Sequence, residues 1–176
     1  MDSILEAQKD MRQAYLNGAP GAVSSGSIWV IAGVVAYMVS PMSGILTLVI
    51  GGMFIFPLSL LLGKLLGCSG KHDKNNPLAS LAMENTFWML LSIPIALALA
   101  IYKQEYFFPA MMLVIGGRYL TFCTLYGLKV YYALAVTLSV FAFLVAIAKA
   151  PVFVGGLAGG VVELVFAVFL MSKQAR

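Results

Sequence analysis

"LVIGGRYLTF", Leu113 to Phe122, reads as the interior of a membrane-spanning helix except at Arg118. Its first five residues recur in "LVIGGMFIFP", Leu48 to Pro57, where Met53 takes the place of the arginine. Apolar runs around both phrases reach the roughly 20 residues that cross a bilayer. The chain is 61% hydrophobic and only 10% charged, against about 25% charged in soluble domains. A soluble core could not hide that much apolar surface, so the chain reads as an integral membrane protein with the lipid bilayer as its first partner. The net charge of +4 does not point to nucleic acid, because the cations sit at helix ends, where they act as an orientation signal.

Breakers divide the chain into six spans, at about 22–40, 43–66, 78–101, 107–128, 129–149 and 151–172. The expected fold class is all-α: a polytopic membrane protein of six transmembrane helices, arranged as three helical hairpins. Residues 1–21 form a cytoplasmic amphipathic segment in this reading, 22–172 the membrane domain and 173–176 a cytoplasmic tail. The segment "MDSILEAQKDMRQAYLNGAPG" lacks the basic opening of a cleaved signal peptide. It places Ile4, Leu5, Gln8, Met11, Tyr15 and Leu16 near helical spacing, as in a helix lying on the membrane surface or against the loops. A bare linker is the alternative. Lys9, Arg12, Lys64, Lys71, Lys74, Lys129, Lys173 and Arg176 fall on one side, against Lys103 and Lys149 on the other. The bias places both termini in the cytoplasm, at a bacterial inner membrane.

The two LVIGG phrases suggest an internal repeat, and Gly159-Gly160 of the last span stands in the same hairpin position. Small residues let membrane helices approach closely. Gly51, Gly52, Gly116, Gly117, Gly155, Gly156, Gly159 and Gly160 are therefore expected to pack helices, within one chain or in a homodimer, and Gly63 with Gly67 makes another such pair. The three hairpins with glycine-rich second helices and Pro41 at a tight outer turn resemble the HdeD-like membrane proteins of bacteria. With "GAPG" at 18–21 and "FFPAMMLVIGGRYLTF" at 107–122, the chain also looks like uncharacterised small bacterial integral membrane proteins. The HdeD-like resemblance implies a link to acid resistance and carries no site residue.

Three ionisable residues fall inside spans: Glu84, Arg118 and Glu163. Each costs about 2.5–3.5 kcal/mol at a helix centre, so each is expected to face the bundle or a partner. Arg118 lies 11 residues before Lys129 and Glu163 lies 10 before Lys173, a depth difference of only about 1–2 Å. The expected polar site is Arg118 with Glu163 or Glu84, flanked by Asn85 and Thr121. It could bind a small solute or ion in a transporter or channel-like protein. Alternatively, the charges only fix helix packing in a non-transporting structural or stress-related protein. No enzyme motif is present. Cys68, Cys123 and a single His72 give no metal site, and no cofactor is expected.

Overall fold

Helix boundaries follow the breakers in the sequence. A computed structural model describes residues 3–172; the tail expected at 173–176, with Lys173 and Arg176, lies outside the described residues. The helices are α1 Ile4–Tyr15, α2 Ala19–Met38, α3 Pro41–Leu65, α4 Leu78–Tyr102, α5 Phe107–Tyr126, α6 Val130–Ile147 and α7 Val152–Ser172, with short 3-10 turns at Leu16–Gly18 and Gln104–Tyr106. Among the described residues, six helices are long and apolar enough to cross a membrane. The chain is a membrane protein of all-α architecture.

Two helices begin earlier than expected because their prolines open them. Pro20 sits in the first turn of α2 and Pro41 starts α3, positions that have no backbone N–H bond to lose. The Ser40 hydroxyl caps α3 by accepting from the Ser43 N–H at 3.1 Å. At the far end, Gly67 takes a left-handed φ of +83°. The Cys68 N–H then donates to Gly63 O at 2.8 Å and the Gly67 N–H to Lys64 O at 3.1 Å. This is a Schellman stop, so Gly67 terminates a helix and is not half of a packing pair.

The spans form an arc. α2 packs between α3 and α7, α7 continues to α6 and α5, and α4 lies outermost on α5. The α2–α7 seam depends on glycine. A Cβ on Gly156 would stand 2.7 Å from the Gly33 Cα, and one on Gly160 would stand 2.8 Å from the Gly26 carbonyl oxygen. Gly159 accommodates the Trp29 ring, while Gly155 accommodates Phe108 of α5. All four α7 glycines thus serve contacts within the chain, and Gly26 and Gly33 supply the facing surface.

The double glycines of the repeated phrase behave differently from expectation. Gly51 meets Ile28 of α2 and Gly116 meets Ala135, Leu138 and Ser139 of α6, whereas Gly52 and Gly117 have nothing within 4 Å of a Cβ position. Only the first glycine of each pair packs. One copy faces the preceding helix and the other the following helix, so the phrases occupy different packing environments.

α1 docks against the ends of the spans. Its buried face is Ala7, Met11 and Ala14, at the i, i+4, i+7 spacing of one helical stripe, while Ile4 and Leu5 are exposed. Gln8 Nε2 donates to Thr124 O at 2.8 Å and Arg12 Nη1 to Tyr126 O at 2.6 Å. Those carbonyls end α5 and lack a full set of intrahelical partners; a cation there also complements the helix dipole. On the other flank Asp10 Oδ2 accepts from the Asp73 N–H and Asn76 Nδ2. Tyr15 and His72 Nδ1 share a 2.8 Å hydrogen bond. His72 is therefore half-buried against α1. Burial, then Asp10, pushes the Tyr15 hydroxyl above its ordinary pKa.

Candidate functional site

Glu163 is the most deeply placed charged-type side chain described, at 1% exposure. It projects from α7 one turn beyond Gly159, into the space that Gly26 leaves on α2. A Cβ on Gly26 would lie 3.1 Å from the Glu163 Cβ. Its partner is a phenol. Tyr119 of α5 donates its hydroxyl proton to Glu163 Oε1 at 2.5 Å. Ser25 of α2 stands next to the same carboxyl, and Oε2 has no hydrogen-bond partner in the protein.

Arg118, one residue earlier, points elsewhere. A helix turns 100° per residue, so if Tyr119 faces α7, Arg118 faces α4. Its Nη1 donates to the Met89 sulfur at 2.9 Å, and its Cζ lies 5.3 Å from the centroid of Phe122. Its Nε is buried without a partner. Asn85 of α4 is buried alongside, donating weakly from Nδ2 to the Arg118 backbone oxygen at 3.4 Å, with Oδ1 unpartnered. The flipped amide would set Oδ1 against that carbonyl, so the orientation follows from the contact.

A family model described as a family of unknown function (DUF7010) matches residues 4–173. The chain belongs to the DUF7010 family. No curated protein and no solved structure matches it. The acid-resistance expectation drawn from HdeD-like proteins does not follow from membership of DUF7010.

In this DUF7010 chain the expected residues separate. Arg118 and Glu163 lie at matching depth, yet neither forms an ion pair with the other; the ion pair found among the described residues joins Lys103 to Glu105. Glu84 is exposed on the outer face of α4 beside Trp88, itself 60% exposed. It starts only about 9 Å along the helix axis from Leu78, close enough to the helix end for its carboxylate to extend toward the headgroup region. Along α4, Ser80, Glu84 and Trp88 face outward, while Ser92 is turned inward. Thr121 donates to the Arg118 backbone oxygen at 2.8 Å and serves its own helix.

Tyr119, Ser25 and Met89 went unread in the sequence, as did Tyr131. Tyr119 stacks on Tyr131 with centroids 5.7 Å apart, and Tyr131 stacks on Tyr126 at the same spacing. Phe122 meets all three edge-on. The Tyr131 hydroxyl donates to Asn17 O at 2.5 Å. The space a side chain would need at Gly18, where φ is +82°, is taken by Tyr131 and Tyr126. The aromatic column therefore runs from Glu163 to the α1–α2 junction. The spacing of Tyr119, Phe122 and Tyr126 along α5 was a visible sign of it.

Proposed function

We propose that this chain is a small transporter or channel-like protein of a bacterial inner membrane, with a polar site between α4, α5 and α7 that takes a proton or small solute. Both termini face the cytoplasm in this reading, and α2–α3, α4–α5 and α6–α7 are its hairpins. One observation carries it. Glu163 Oε2, Arg118 Nε and Asn85 Oδ1 are all buried without partners, on three helices joined through consecutive residues of α5. A buried polar atom left unpaired costs about 1–3 kcal/mol, and the hydrocarbon offers no water to relieve it. A purely structural network gains from closing every bond; one that handles a ligand keeps bonds open.

Reconstituted liposomes carrying an internal pH dye and an imposed gradient of a small monocarboxylate test this. Wild-type protein is expected to accelerate solute or proton movement, and Glu163→Gln and Arg118→Met to abolish it. A folded wild-type protein that matches empty liposomes for protons and every anion tried would refute the proposal. The enclosure of Glu163 behind Tyr119 favours a second reading, a non-transporting protein in which the charged residues only fix packing. On that reading the flux never appears, and Glu163→Leu with Arg118→Met folds and keeps any cellular phenotype. A homodimer would have to form away from the α7 glycines, which already pack on α2 and α5.

A further inference from the structure

Arg118 and Asn85 form a second polar locus, on the face of α5 that turns toward α4, about 100° around the helix from the face that carries Tyr119 to the Glu163 carboxyl. An arginine stays charged in any protein setting, and this one is stationed about 12 Å along the axis from the Tyr126 end of α5. Its contacts are a thioether sulfur and an aromatic ring, and among the described residues it forms no ion pair with a carboxylate. Sulfur and ring fix the guanidinium plane without neutralising it. Within the same contact, Asn85 is 4% exposed, and its Oδ1 is an acceptor with no donor. A cationic donor and a neutral acceptor thus both lack partners where α4 meets α5.

We propose that Arg118 and Asn85 bind a small monoanion that carries a hydrogen-bond donor next to its negative oxygens, the chemistry of a 2-hydroxy carboxylate. The negative oxygens would accept from Arg118 Nε and compensate its charge. The hydroxyl would donate to Asn85 Oδ1. An anion without a donor would turn a lone pair toward that oxygen and be disfavoured, so the asparagine makes the site selective. α4 is the wall best suited to admit a ligand, because α5 is its principal packing partner. The proposal deepens the solute reading above and rests on it for transport, though not for binding.

Binding to the purified full-length protein in detergent is the test, with glycolate, acetate and ethylene glycol as probes, read by calorimetry and thermal shift. Glycolate should bind about tenfold more tightly than acetate, the scale of satisfying one buried neutral acceptor, and ethylene glycol should not bind. Asn85→Leu should bring the glycolate-to-acetate ratio near one, and Arg118→Met should lose both anions. Equal binding of glycolate and acetate by wild type, or unchanged glycolate binding by Arg118→Met, overturns the proposal. Should Arg118→Met fail to fold, the wild-type ratio and Asn85→Leu decide alone. Selective glycolate binding without liposome flux would sink the transport reading and keep the site; flux without glycolate preference would do the reverse.

Discussion

Replacing Gly156 with alanine adds one methyl group where two helix backbones touch. The new Cβ would stand 2.7 Å from the Gly33 Cα and 2.9 Å from its nitrogen. Neither atom can rotate away, so α2 and α7 must separate along the whole seam. Overpacking typically costs about 1–3 kcal/mol, and a backbone-on-backbone clash belongs in the upper part of that range. Alanine also improves helix propensity by up to about 1 kcal/mol, which masks part of the effect. Gly117→Ala is the matched control, because that position has nothing within 4 Å and makes the same propensity gain. The difference between the two variants is then about 2–3 kcal/mol. At about 2–4 °C per kcal/mol for a chain of this size, their melting temperatures should differ by about 4–12 °C. Thermal unfolding of detergent-purified protein, followed with a thiol-reactive dye on Cys68 and Cys123, reads this directly. Equal melting temperatures for Gly156→Ala and Gly117→Ala would refute the assignment of the α2–α7 seam.

Two further outcomes are expected. Arg12→Ala removes a charged donor from the end of α5, so amide hydrogen exchange in residues 4–15 should speed up about tenfold. Unchanged protection of α1 would show that its docking does not depend on that bond. In a cysteine-free background, Lys74→Cys should react with an impermeant maleimide only after cells are opened, while Lys103→Cys should react in intact cells; the reverse pattern overturns the cytoplasmic placement of the termini.

Span positions were legible because lipid demands long apolar runs, and the breakers Ser40-Pro41, Gly67 and Gly127 punctuate them. Depth was legible too, since rise per residue is constant: Arg118 and Glu163 were placed at one level, and Tyr119 beside Arg118 does meet Glu163. Azimuth was not legible. Inside a membrane helix nearly every face is apolar, so no polar side marks which residues turn outward. That is why Gly52 and Gly117 looked equivalent to Gly51 and Gly116, and why Glu84 was grouped with a cluster it faces away from. It is also why an ion pair was expected where a phenol stands. A tyrosine reads as apolar in a span until its hydroxyl finds a partner.

The most direct measurement is a pair of double-mutant cycles on unfolding. One combines Tyr119→Phe with Glu163→Gln, the other Arg118→Met with Glu163→Gln. The structure predicts coupling of about 1–3 kcal/mol between Tyr119 and Glu163. It predicts weaker coupling between Arg118 and Glu163, which form no hydrogen bond or ion pair with each other and interact only through space. Coupling concentrated in the arginine cycle, with none in the tyrosine cycle, would contradict the rotation of α5 on which the site is built.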